Sequence, residues 1–219
     1  MARKTSATRS AADYLPARFS LSALRRAAVG CRGCDLYVRA TQTVFGEGPP
    51  DARIVLVGET PGDEEDRQGR PFVGRAGKLL DRALNEANVD REEVYVTNVV
   101  KHFSFDERGK RRLHKKPRQV EIVACRAWID AELLAIRPQF VVCLGATAAQ
   151  TLLGKQFRLT RQRGEVVGNV AAGVDWPVAA LASWHPAAIL RAPTSAARAE
   201  MLDELVADLT TASKAAGRR

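Results

Sequence analysis

The chain has 219 residues, 46% of them apolar and 27% charged, and carries a net charge of +9. That length buries a substantial core within one domain, in a normal globular balance. No apolar run reaches the roughly eighteen residues of a membrane span, and the excess of basic charge favours a polyanionic partner, most simply a nucleic acid.

Residues 1–18 are rich in Arg, Ser and Ala and lack the apolar stretch of a secretory signal, so a disordered basic tail is expected there. Residues 19–212 read as a single domain and 213–219 as a frayed end. Residues 20–29 suggest a short helix leading into Cys31-Arg-Gly-Cys34. Residues 53–58 form an apolar run ending in Gly58, the pattern of a buried strand. Leu79, Leu80, Ala83, Leu84 and Ala87 mark one face of a helix over 78–87. Residues 94–100 are β-branched and read as a second strand. A long helix fits 118–136, stopped by Pro138. A third strand follows at 140–145, then a helix over 146–153. A fourth strand covers 178–183 and ends at Trp184-His185-Pro186. Met201, Leu202, Leu205, Val206 and Leu209 give a final amphipathic helix. Strands alternating with helices imply an α/β fold whose parallel sheet is covered on both faces. Such sheets bind ligands beyond the carboxyl ends of their strands. The loops concerned start at Glu59, Asn98 to Lys101, Gly145 and His185.

The first of these loops holds five glycines and two prolines between Gly58 and Gly77. Glycine at that density lets backbone approach another group closely. The segment is neither a P-loop nor a dinucleotide fingerprint. Glu59 and Asp63 could handle a proton, a water or a cation, and Phe72 could stack on a planar ring. A rigid surface turn with solvated acids would read the same way.

The most basic segment spans Lys101 to Arg118, with eight Lys or Arg against Asp106 and Glu107. It reads as a loop built on Ser104 to Gly109 and running into Lys110-Arg-Arg-Leu-His-Lys-Lys116. Such a loop attracts phosphates, and the imidazole of His114 could serve as base, acid, ligand or nucleophile near neutral pH. The alternative is a solvated basic loop with an incidental histidine. His102 reads as structural or phosphate-contacting.

Four cysteines, Cys31, Cys34, Cys125 and Cys143, stand as one CxxC and two distant singles. Three readings fit that spacing: ligands of a 4Fe–4S cluster, a zinc site, or unligated thiols in apolar surroundings. Disulfides do not suit a chain without an export signal.

Taken together, Cys31/Cys34, the Gly58 to Gly77 segment, Tyr95-Val-Thr-Asn-Val-Val-Lys101, Cys125, Cys143 and Trp184-His-Pro-Ala-Ala-Ile-Leu-Arg191 resemble the uracil-DNA glycosylase superfamily, specifically its iron–sulfur family 4 type. The resemblance runs from Leu21 to Leu209. The Lys110 to His114 run resembles the inserted loop of the UdgX branch, whose members become covalently attached to uracil-containing DNA. Leu113 stands where that motif usually has Ile, and Thr60 where the branch often has Gln.

The resemblance implies a three-layer α/β/α sandwich around a four-stranded parallel sheet. It implies a protein that excises uracil from DNA, preferring single strands; a cytoplasmic monomer is the default expectation. His114 would attack the sugar C1′, Glu59 would orient His114 or accept its proton, and His185 would stabilise the departing base. Thr60, Asp63, Phe72, Asn98, Gly58 and Gly62 would form the uracil site. Lys101, Lys110, Arg111, Arg112, Lys115 and Arg191 would hold phosphates, and the basic neighbours of His114 would keep its imidazole neutral. Cys31, Cys34, Cys125 and Cys143 would ligate the 4Fe–4S cluster. A hydrolytic glycosylase with turnover, or a single-stranded DNA-binding module without catalysis, are the competing expectations.

Overall fold

A computed structural model describes residues 10–168, 176 and 178–217. Four strands form one parallel sheet: β1 (Ile54–Gly58), β2 (Val94–Asn98), β5 (Phe140–Leu144) and β6 (Ala179–Ser183), in the order β2-β1-β5-β6. Their alternating side chains feed two cores. Val55, Val57, Tyr95, Val141, Cys143, Ala180 and Ala182 pack on one face against α1 (Leu21–Ala28), α4 (Gln119–Ile136) and α5 (Ala146–Leu152). Ile54, Leu56, Val94, Val96, Phe140, Val142 and Leu181 pack on the other, against α3 (Arg75–Glu86), α7 (Pro186–Leu190) and α8 (Ser195–Ala216). A strand buried on both faces has no polar side to alternate, which is why these runs are continuously apolar. A further helix, α6 (Leu159–Gln162), is a single turn beside β6.

Helix ends follow local chemistry. Arg137 takes a left-handed conformation (φ 52°) after α4, and Pro138 then bars continuation. Thr194 caps α8 by accepting a hydrogen bond from the Ala197 amide at 3.1 Å.

Several expectations need correction. The tail was expected to be disordered to residue 18, but Ala11–Tyr14 forms a 3₁₀ turn capped by Ser10 and packed on α4. Ala11 is buried there, and a Cβ on Gly33 would stand 2.6 Å from its amide nitrogen, so the CxxC turn needs that glycine. Residues 1–9 lie outside the described residues. The frayed C-terminus begins later than expected, because α8 continues to a buried Ala216; residues 218–219 lie outside the described residues.

Two segments read as loop are regular. Residues 63–68 form α2 (Asp63–Gln68), ended by Gly69 at φ 72°. The basic run is an antiparallel hairpin of β3 (Phe105–Arg108) and β4 (Arg111–His114), with Gly109 at φ 60° in its turn. Phe105 pairs with His114 and Glu107 with Arg112, which puts Arg112 and His114 on one face and leaves Arg111 and Leu113 exposed on the other.

Candidate active site

The carboxyl ends of all four strands point the same way and close on a cavity of about 450 Å³. One wall is built from strand ends. Asn98 finishes β2, is buried, and faces Gly58 at the end of β1. A Cβ on Gly58 would lie 2.4 Å from Asn98 Oδ1, 2.7 Å from Phe72 Cζ and 3.4 Å from His185 Nε2. Three planar groups therefore converge where glycine leaves room. Phe72 sits at φ 55°, costly for a bulky residue. Its carbonyl presses so closely on Gly77 that a Cβ there would lie 1.8 Å away. The Phe72 and His185 rings are 6.1 Å apart and inclined by 29°.

His185 caps α7. Its Nδ1 accepts the Ala187 N–H at 3.1 Å, so the proton of the neutral ring lies on Nε2, facing the cavity. Burial, with help from His114 and Arg191, pulls its pKa down to about 4. The ring is thus a neutral N–H donor at pH 7. The Asn98 amide supplies one acceptor and one donor beside it.

The opposite wall is assembled from charge. His114, half-exposed at the mouth, places Nε2 3.9 Å from Glu59 Oε1. Glu59 Oε2 accepts a short hydrogen bond from the Thr147 hydroxyl at the start of α5, so one carboxylate oxygen is fixed and the other faces the imidazole. Burial lowers the His114 pKa, Glu59 opposes that, and Arg191 adds to it. The cation acting on His114 is therefore Arg191 from α7's end, rather than the lysines and arginines beside it in sequence. Arg191 lines the cavity and makes no ion pair among the described residues.

The hairpin that carries His114 is held by Arg112. Its guanidinium reaches Asp63 Oδ1 at 2.5 Å and the fully buried Asp66 Oδ2 at 2.6 Å, and lies over the Phe103 and Phe105 rings. This reassigns two expected site residues. Arg112 is committed to α2 rather than to phosphate, and Asp63 pairs with Arg112 and Arg67 instead of lining the cavity.

Lys101 is also reassigned. It is completely buried, and Nζ donates to Glu132 Oε2 at 2.5 Å, Thr97 Oγ1 at 2.6 Å and the Asn98 carbonyl at 2.7 Å. No phosphate can reach it. The burial of a charge is tolerated because every donor is satisfied by an opposite charge or a dipole. Lys110 and Arg111 are exposed near the hairpin turn, and Lys115 pairs with Asp106 at 3.0 Å. Glu59, Thr60, Gly62, Phe72, Asn98, His114, His185 and Arg191 line the cavity together. The Thr60 hydroxyl, however, turns away to donate to the His102 carbonyl at 2.9 Å. His102 is buried against Thr43, 3.0 Å away, and burial pulls its pKa to about 4.

Cys31 and Cys34 lie below the first helix, Cys125 on α4 and Cys143 on β5. Cys31 Sγ accepts the Trp128 indole N–H at 3.2 Å, and Cys125 Sγ accepts the Lys101 amide at 3.3 Å. Cys31, Cys125 and Cys143 are buried in one core, and Cys34 is half-buried in the same CxxC turn as Cys31. Among the described residues, no group of three or more His, Cys, Asp or Glu side chains is arranged to hold a metal ion.

The profile of the "Uracil DNA glycosylase superfamily" matches residues 45–210. The chain belongs to that superfamily. It is 38% identical over 178 residues to a "Type-4 uracil-DNA glycosylase" of Thermotoga maritima, covering 80% of this chain and 85% of that one. It is 40% identical over 178 residues to a protein of the same name from Archaeoglobus fulgidus, with the same coverage. A third, from Sulfurisphaera tokodaii, is 35% identical over 179 residues, 80% of this chain and 77% of that one.

Within this superfamily member, two contributors escaped sequence reading. Glu65 ties the glycine loop together, its Oε2 accepting from the Gly62 amide at 3.1 Å and its Oε1 from Gly74 at 2.8 Å. A glutamate three residues after the cap is a capping-box signal and was findable. Thr147 had no such signal, since its partner Glu59 is 88 positions away.

Proposed function

We propose that this protein excises uracil from DNA and is captured on the sugar by His114. The observation that carries the reading is the pairing of two walls: three planar base-reading groups around Gly58 face a neutral imidazole set beside a fixed carboxylate. A flipped or unpaired uracil would enter between them, which favours single-stranded DNA. Phe72 stacks on its face, and Asn98 hydrogen-bonds its edge. An imide edge offers an N–H flanked by carbonyls, which an amide complements and which cytosine lacks.

The C1′–N1 bond breaks with its electron pair moving onto the base, and the His185 Nε2–H donates to the resulting uracil anion. Stabilising charge as it develops is commonly the largest catalytic contribution. The His114 lone pair then bonds C1′ of the oxocarbenium-like sugar. The positive charge transfers to the ring, beside Glu59. Glu59 orients His114 and can accept its remaining ring proton. Arg191 and the exposed Lys110 and Arg111 attract the DNA backbone. With the sugar carbon occupied by nitrogen, water has no access to it, and each molecule reacts once. The capture step, rather than the excision, is the property this reading shares with the UdgX branch.

The four cysteines are proposed to hold a 4Fe–4S cluster. The donor chemistry supports this: three of the thiols share one buried core, the fourth lies in the same CxxC turn as Cys31, and two sulfurs accept N–H groups. The cluster would serve structurally, tying the N-terminal turn to α4 and β5. Iron and acid-labile sulfide content, with the visible absorbance of thiolate-bound iron, tests this separately from activity.

The reading is tested by mixing the purified protein with a labelled uracil-containing single strand and running a denaturing gel, with thymine DNA and His114→Ala alongside. A uracil-dependent, denaturant-resistant band that disappears with His114→Ala is the expected result. Free DNA that breaks on alkali treatment would make the protein a hydrolytic glycosylase. An intact strand throughout would leave a DNA-binding module.

A further inference from the structure

Three clefts meet at Lys116. One is the uracil cavity. The second, of about 520 Å³, lies between α4 and α5 and shares Lys116 and Thr147 with the first. The third, of about 270 Å³, lies beneath the hairpin. A DNA strand leaving the uracil cavity across Lys116 could continue into either of the last two, and their walls differ in charge balance. The cleft beneath the hairpin sets Asp35, Asp106 and Glu121 against Arg39, Lys115, Lys116 and Arg118, with Lys115 and Arg118 already paired with two of those acids and Arg39 with Glu107 at 3.6 Å. The α4–α5 cleft is lined by Lys116, Arg126 and Lys155 and by no acid among the described residues. Lys116 and Lys155 make no ion pair there, whereas Arg126 is held by Asp130 and the Thr151 carbonyl. Ile122 and Val123 add an apolar surface, and Val123 is 60% exposed.

We infer that the α4–α5 cleft is a second DNA subsite, occupied by a neighbouring nucleotide of the strand whose uracil fills the first. Its phosphate lies with Lys116 and Lys155, and its base covers Val123. Cationic side chains beside an apolar surface are what a single strand requires, because its phosphates need charge and its unstacked bases need cover. A paired base could not turn into the cleft, so the subsite also provides a physical basis for preferring single strands. The inference rests on the uracil-excision reading and extends it beyond the reacting nucleotide.

The test compares uracil release from a long single strand with release from deoxyuridine carrying a phosphate on each side, for wild type, Val123→Asp and Lys155→Glu. Both substitutions are on exposed positions outside the uracil cavity. Each variant is expected to react roughly tenfold more slowly with the long strand and at the wild-type rate with the minimal substrate. Lys155→Glu should also flatten the salt dependence of long-strand binding by about one counterion. Equal rates of wild type and variants on the long strand would overturn the subsite, as would equal losses on both substrates. If wild type releases uracil from neither substrate, the excision reading itself fails and takes the subsite with it.

Discussion

The two walls of the cavity are built differently. The wall proposed to read the base grows out of the sheet: Asn98, Gly58 and His185 stand at the ends of buried strands, and Phe72 is pressed against them in a strained conformation. The wall proposed to face the sugar is borne by a two-stranded hairpin and a loop, and polar contacts fix it: Arg112 to Asp63 and Asp66, Glu59 to Thr147 and towards His114. Packing tolerates no added atom, whereas ion pairs and single hydrogen bonds can be weakened stepwise. Base recognition should therefore fail sharply and sugar capture by degrees.

The largest effect is expected where chemistry rather than position is removed. His114→Ala should abolish the covalent band while affinity for uracil-containing DNA, measured by fluorescence anisotropy, stays near wild type. Persistence of the band would mean another nucleophile. Gly58→Ala tests the steric wall: its methyl would collide with Asn98 and Phe72. Excision should drop on the order of a hundredfold or more with the circular dichroism spectrum unchanged, in line with losing an aligned transition-state donor. Near-normal excision would show that the wall can yield.

Arg112→Met should loosen the hairpin without touching the strand ends. Leaving Asp66 buried and unpaired should cost about 3 kcal/mol in denaturant unfolding. Capture should slow more than uracil binding weakens. Thr147→Val removes only the hydroxyl that fixes Glu59. Capture should slow about tenfold, the value of one hydrogen bond to a charged group, and Thr147→Ser should restore it. Equal rates for the valine and serine variants would remove Thr147 from the mechanism.

The smallest effect is in pH. Under the proposed reading both His114 and His185 act as neutral rings, and both pKa values lie below the usual 6.5, that of His185 at about 4. Capture should be level above pH 6.5 and fall as acid protonates His114. Arg191→Gln removes a cation that keeps His114 neutral, so the fall should begin at higher pH. An inflection that moves down instead would contradict the assigned electrostatics.

Much of this molecule was legible in its sequence. The four apolar runs read as buried strands, and their alternation with helices pointed to the cavity at the strand ends where Asn98 and His185 stand. The glycine-rich stretch announced a close approach, which Gly58 and Gly77 bear out. What the sequence could not decide were partnerships between distant charges. The run from Lys101 to Arg118 looks uniformly basic, yet Lys101 is buried against Glu132, Arg112 is held by α2, Lys115 is paired, and Lys110 and Arg111 remain exposed. With Phe105 and Leu113 the only apolar residues of its two strands, the charged run gives no period to read, so the hairpin was hidden as well. Hydrophobic periodicity is a local property, written into consecutive residues. The fate of a charged side chain depends on what the fold brings opposite it, and only the tertiary structure supplies that.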